Sequence, residues 1–120
     1  MDDLLPTEIT LHQQSKHLEI AFSDGVRYRL PYEFLRVHSP SAEVRGHSPG
    51  QEVLQVGKKN VAVRDIQPVG SYALKIAFDD GHDTGLYTWE FLYNLGKHQN
   101  KLWQDYLDRL TAAGASREGK

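Results

Sequence analysis

Leu18-Glu19-Ile20-Ala21-Phe22-Ser23-Asp24-Gly25-Val26-Arg27-Tyr28-Arg29-Leu30 alternates apolar and polar residues on both sides of an Asp-Gly pair. A period of two marks a strand with one buried face, and Asp-Gly between two such strands marks a hairpin. The pair predicts a two-residue turn with both central residues at positive φ. Upstream, Ile9 and Leu11 share a face before the polar break Gln13-Gln14-Ser15-Lys16, so a third strand joins the hairpin in a meander. Downstream, Pro31 suits the first position of a short helix that returns Phe34 and Leu35 to the sheet.

The same unit recurs. Leu18, Ile20, Ala21, Phe22, Asp24 and Gly25 reappear as Leu74, Ile76, Ala77, Phe78, Asp80 and Gly81, and Leu30 matches Leu86 at the same offset. One residue later in register, Glu33-Phe34-Leu35 matches Glu90-Phe91-Leu92. The sequence is therefore read as a pseudo-duplicated layer of strand, Asp-Gly turn, strand and helix start. Two copies are too few for a solenoid.

Between the copies, His38 to Gly50 is rich in Ser, Pro, Gly and charge, which predicts a long loop, either a functional surface or an excursion with one helical turn. Val61 to Gln67 reads as a strand, and Thr88 can cap a helix that breaks near Gly96. Leu102, Trp103, Tyr106, Leu107 and Leu110 then form one apolar stripe at helical spacing. The expectation is an α+β fold: a small antiparallel or mixed sheet layer, a short helix after the first hairpin and an amphipathic C-terminal helix. Residues 6–112 form one domain in this reading, with 1–5 and 113–120 as flexible ends.

Composition narrows the function classes. The 120 residues carry 14 Lys plus Arg against 16 Asp plus Glu, a net charge of -2 that provides no global attraction to nucleic acid or anionic lipid. No run is long and apolar enough to span a membrane, and no signal-peptide pattern opens the chain. Cysteine is absent, which removes disulfides and thiolate chemistry and agrees with a cytoplasmic setting.

With no cysteine, the six histidines are the first place to look for a base or a metal ligand. His12, His17 and His98 read as solvated surface residues. His17-Leu18-Glu19 is the sole His-x-Glu match to a facial-triad pattern, too short to carry an oxygenase assignment. Two local groups stand out. His38-Ser39-Pro40-Ser41 with Arg45-Gly46-His47-Ser48 gathers imidazoles, hydroxyls and a guanidinium on one loop, and Asp79-Asp80-Gly81-His82-Asp83 puts an imidazole among carboxylates. Either suits an anion or a cation, and a solvated loop or ordinary turn chemistry accounts for the same residues. Arg27, Arg29, Arg36 and Arg45 read as a basic strip beside that loop or as a solvated sheet face.

The segments Leu35-Arg36-Val37-His38-Ser39-Pro40-Ser41-Ala42-Glu43-Val44 and Asp80-Gly81-His82-Asp83-Thr84-Gly85-Leu86-Tyr87-Thr88-Trp89, with Phe22-Ser23-Asp24-Gly25 upstream, resemble the gamma-butyrobetaine hydroxylase-like N-terminal domain family. The resemblance runs from about Pro6 to Leu110 and points to a free-standing bacterial form. In that family the domain precedes carnitine-pathway dioxygenases, is appended to P-loop ATPases of iron–sulfur cluster assembly, and occurs alone. The dioxygenases hold a structural zinc on three cysteines at the positions of Ser39, Ser41 and Val44 and on a histidine at the position of His82. Here only His82 keeps a ligand. The resemblance implies an accessory module with a protein partner, tied to iron–sulfur or iron-enzyme biology, and with no catalytic residues of its own. Its interaction surface is expected at Arg36, His38, Glu43, Arg45, His47 and Asp83. The alternatives are a remodelled zinc or iron site, with His38, His47, Asp80 and Asp83 supporting His82, and a small enzyme.

Overall fold

The computed structural model of the chain describes residues 4–46 and 50–119. β1 (Pro6–His12), β2 (His17–Phe22) and β3 (Arg27–Pro31) form one sheet in the order β1-β2-β3. β4 (Val63–Val69), β5 (Ala73–Phe78) and β6 (Leu86–Thr88) form a second in the order β4-β5-β6. A helix follows each sheet, α1 (Tyr32–Val37) after the first and α3 (Trp89–Lys97) after the second. The single turn α2 (Ala42–Arg45) lies in the long loop, and α4 (Gln99–Ala112) follows α3. The class is α+β, and every strand pairing in both sheets is antiparallel.

The duplication extends to individual hydrogen bonds. Phe22 N–H donates to the Val26 carbonyl at 2.9 Å and Phe78 N–H to the His82 carbonyl at 3.0 Å. Asp24 Oδ1 accepts from Val26 N–H at 2.9 Å and Asp80 Oδ1 from His82 N–H at 3.1 Å. Each sheet has one register irregularity, between Pro6 and Glu8 in the first and between Val63 and Asp65 in the second, at matching places. The turns differ from the sequence expectation. Gly25 and Gly81 sit at φ +89° and +91°, whereas neither aspartate has a positive φ. The loop is therefore three residues long and closed by glycine alone, with the aspartate carboxylate capping the turn from an ordinary conformation.

Alternation then builds one core from both sheets. Leu18, Ile20, Phe22 and Leu30 pack with Val63, Leu74, Ile76 and Phe78, and Phe34, Leu35, Tyr87, Leu92 and Leu95 close the cluster. Each such fully buried aliphatic or aromatic side chain contributes roughly 1.5–3 kcal/mol. All six residues of α1 are buried, including Glu33 and Arg36, so this short helix runs through the middle of the molecule. Both of its charges need internal partners.

Glu33 finds its partner in Arg117, whose Nε and Nη2 donate to the carboxylate at 2.8 and 2.7 Å. That pair joins α1 to the C-terminal residues, which the sequence reads as a flexible tail. The Arg117 guanidinium also lies over the Trp103 ring at 5.4 Å, its carbonyl accepts from Lys59 N–H at 3.2 Å, and Ala115 packs beside Val37, Tyr106 and Leu110. The expected helix break moves as well. α3 runs through Gly96 and stops at His98, where φ is -111° and ψ 23°. Gly96 serves instead as a seat for the Tyr28 ring, which a Cβ there would overlap. Thr88 caps α3 as its residue type predicts, its Oγ1 accepting from Phe91 N–H at 3.1 Å. Among the described residues no helix is long and apolar enough to cross a membrane.

Candidate functional site

The long loop and the second Asp-Gly turn meet over the C-terminal end of α1. Ser39 Oγ lies 2.8 Å from His82 Nε2, and His82 Nδ1 lies 3.1 Å from Glu43 Oε1. A carboxylate accepts only, so the imidazole proton is assigned to Nδ1, and Nε2 accepts the Ser39 hydroxyl. Ser39 Oγ in turn accepts from Ser41 N–H at 3.2 Å. Ser41 Oγ accepts from Glu43 N–H at 3.2 Å, capping α2, and pairs with Thr84 Oγ1 at 2.7 Å. The two segments are thus joined by a chain of hydrogen bonds with no open end at His82.

A second layer anchors the turn. Asp80 Oδ2 accepts from Arg36 Nε at 2.8 Å and from Lys58 Nζ at 2.6 Å. Burial works to raise this carboxyl's pKa, but Lys58, the His82 N–H and Arg36 together outweigh it and hold it at about 2. The His82 pKa is lowered, chiefly by burial and further by the Arg36 charge, against the opposing pull of Glu43 and Asp80. The imidazole is kept neutral, as the hydrogen-bond chain requires.

Ser39, His82 and Glu43 have the connectivity of a hydrolytic triad. The surroundings do not allow that chemistry. Ser39 is fully buried, and a Cβ placed on Gly85 would lie 2.6 Å from its Oγ, so backbone fills the space an acyl group would need. A cavity of about 300 Å³ beside Lys58 and Asp80 and one of about 550 Å³ beside His38 and Arg45 reach neither Ser39 nor His82.

Nor do the residues fit the family's zinc. Sulfur and nitrogen ligands of a tetrahedral zinc lie about 3.5 Å apart with the ion between them, whereas Ser39 Oγ and His82 Nε2 are in direct hydrogen-bond contact at 2.8 Å. Neutral hydroxyls replace the thiolates at Ser39 and Ser41, and buried Val44 offers no donor. The other candidate ligands are not brought to His82. The His38 ring turns back to the Phe34 carbonyl at 3.0 Å and packs on the Phe34 ring, and burial lowers its pKa. The Asp80 side chain is taken by Arg36 and Lys58, while Asp83 is half exposed and 4.0 Å from Lys75. His47 lies outside the described residues.

Two residues expected on an interaction surface are buried instead. Arg36 and His38 are each 7% exposed: Arg36 Nε is taken by Asp80 while its Nη1 is buried without a partner, and His38 Nδ1 lies against the Phe34 carbonyl. The basic strip does not form either, since Arg36 is internal and Arg27 is paired with Glu8 and Glu19. Glu43, Arg45 and Asp83 do lie at the surface. Thr84 closes the turn Asp79 to Thr84 that the sequence offers as part of the interaction face, whereas Gly85 and Lys58 are not among its candidates. Gly85 lies in the same motif as His82, but no spacing rule links Lys58 to Asp80.

The model of the gamma-butyrobetaine hydroxylase-like, N-terminal family matches residues 9–93, which takes in both halves of this site. The chain belongs to that family. Among solved structures, this family member is similar to two determined by NMR in solution. One is 51% identical with a TM-score of 0.86, over 99% of this chain and 94% of the other. The second is 53% identical with a TM-score of 0.83, over 97% and 86%. A crystal structure of a protein of unknown function of the DUF971 family from Acidithiobacillus ferrooxidans is 38% identical with a TM-score of 0.64, over 76% and 91%. No curated protein matches this gamma-butyrobetaine hydroxylase-like domain.

Proposed function

We propose that the chain is a non-catalytic accessory module that presents the joined loop and turn to a protein partner in iron–sulfur or iron-enzyme biology. The observation that carries this reading is the closed Ser39-His82-Glu43 chain, in which both imidazole nitrogens are used internally. What faces outward is a mixed rim. Glu43, Arg45 and Asp83 supply charge, and Val53 and Leu86 are exposed apolar side chains at 52% and 42%. Val53 is tied to α2 through its N–H to the Val44 carbonyl at 2.8 Å, and Leu86 pairs in register with Lys75, which lies beside Asp83. Exposed apolar side chains beside charged ones are the materials of a protein interface. The family's fusions suggest the partner class, since a domain found covalently attached to an iron–sulfur ATPase or an iron dioxygenase has a plausible counterpart acting in trans.

The test is an NMR titration of the ¹⁵N-labelled chain with the iron–sulfur P-loop ATPase and, separately, an iron-dependent dioxygenase domain from the same organism. Amide signals of residues 43–45 and 83–86 are expected to shift or broaden with one of them, and Glu43→Lys with Asp83→Lys to weaken the effect. No change with either protein, or changes centred on another face, contradicts the proposal.

A further inference from the structure

Two imidazoles and a carboxylate meet on the first sheet, on a different element set from the Ser39-His82 chain. Strand alternation sends Leu18 and Ile20 into the core, so His17 and Glu19 face the other way. The hairpin register places His12 directly opposite His17 and Thr10 opposite Glu19, which brings His12 onto that outer face. The sequence shows only His17-x-Glu19; the register supplies the second histidine. His12 Nε2 is 2.8 Å from Glu19 Oε1, the two imidazole rings stack with centroids 4.5 Å apart, and one ligand atom from each of the three residues lies within 4.8 Å of the others. No other group of three such residues is gathered this closely among the described residues.

A second observation points to a ligand. His17 Nε2 is buried and has no hydrogen-bond partner. Its other nitrogen, Nδ1, is 2.9 Å from Ser15 Oγ, so Nε2 is the ring's one unpartnered polar atom, and it carries a bare lone pair in the tautomer protonated at Nδ1. A buried polar atom with no partner is uncommon in a native fold.

Arg27 donates to Glu19 Oε2 at 2.7 Å and to Glu8 at 3.0 Å, and Arg29 stands opposite Glu19 on β3, so the charges around the group are balanced and Glu19 Oε1 is committed only to His12. The hairpin end is braced as a ligand site requires. Gln13 donates to the Val63 carbonyl at 3.2 Å and accepts from Tyr32 at 3.1 Å, and Lys16 Nζ donates to the Asn60 carbonyl at 3.0 Å.

We propose that His12 Nε2, His17 Nε2 and Glu19 Oε1 form a binding site for a divalent transition-metal cation. Two imidazoles with one carboxylate suit zinc, iron(II), nickel or copper, and do not suit magnesium or calcium, which take all-oxygen shells. The ion takes the place of the proton between His12 Nε2 and Glu19, and that proton moves to His12 Nδ1, so the ring binds as the neutral species. Ser15 serves as the outer partner that fixes the His17 tautomer.

The probe is Zn²⁺, added to tag-free, chelator-treated full-length chain and followed by calorimetry and by long-range ¹H–¹⁵N spectra of the imidazoles. One equivalent is expected to bind and to move the His12 and His17 ring nitrogens while leaving His38 and His82 in place. His12→Ala and His17→Ala should each weaken binding by about tenfold or more, equivalent to about 1.4 kcal/mol. Backbone spectra show whether each variant is folded, and Glu19→Gln gives a third reading at a site that keeps both rings. Binding that survives both histidine substitutions overturns the proposal, as does a response centred on another histidine. So does the absence of any His12 or His17 shift in the wild-type chain at about 1 mM zinc.

Discussion

At the scale of single residues, the account rests on imidazoles kept neutral inside the fold. For His38 and His82 the main cause is burial, which lowers both pKa values. The unfolded chain takes up protons as the pH falls below about 6.5 while the folded chain resists, so stability rises with pH through this window. The stability tied to neutral His38 and His82 is complete above pH 6.5 and is lost as pH falls from there toward their folded values. Asp80 acts in a lower window with the same sign. Its folded carboxyl is held at about 2 against an ordinary 3.8, so its contribution, on the order of 2 kcal/mol, is present above pH 4 and vanishes as pH drops through 2. Urea unfolding at pH 7, 6 and 5 should show a falling midpoint, with a shallower fall in His38→Gln/His82→Gln. A midpoint independent of pH across this range would contradict the burial argument.

At the scale of elements, glycine separates what the sequence shows from what only packing shows. Gly25 and Gly81 were legible because an Asp-Gly pair between alternating strands has one local explanation, and both have positive φ. Gly96 was misread as a helix break because the same residue type also serves close approach, which depends on Tyr28 almost seventy positions away in the chain. Gly96→Ala should raise helix propensity by about 1 kcal/mol, yet overpacking against Tyr28 costs about 1–3 kcal/mol. The expected outcome is a lower melting temperature and a disturbed Phe22, Tyr28 and Tyr93 ring cluster, visible in aromatic NMR signals. An unchanged or raised melting temperature would show that the ring moves aside freely. The candidate site divides in the same way. Its location at His82 and Ser39 could be read from the paired motifs, and so could the loss of the cysteines. The partners of those residues could not, because Arg36-Asp80 and Ser41-Thr84 join positions more than forty residues apart, and no local pattern specifies which long-range hydrogen bonds close.

At the scale of the whole molecule, the central position of α1 explains why both ends of its charge pattern are answered by remote segments. Arg36 reaches the second Asp-Gly turn, and Glu33, 7% exposed, depends on Arg117 from the C-terminal segment. Only the carboxylate of this pair is buried, and removing its arginine leaves that charge uncompensated. Arg117→Ala, or truncation after Ala113, should therefore destabilise the chain by about 2 kcal/mol in urea unfolding, partly relieved by Glu33→Gln in the same background. Equal stability with and without residues 114–120 would show that the segment is dispensable. The central claim concerns the junction these elements create: the loop and turn are joined by a chain of hydrogen bonds that uses both ring nitrogens of His82. The most direct measurement is the long-range ¹H–¹⁵N spectrum of the His82 ring at pH 7, before and after zinc is added. The account predicts one neutral tautomer, protonated at Nδ1, with neither nitrogen moved by the metal; a zinc-dependent shift at His82 Nε2, or a ring that titrates near pH 6.5, would contradict it.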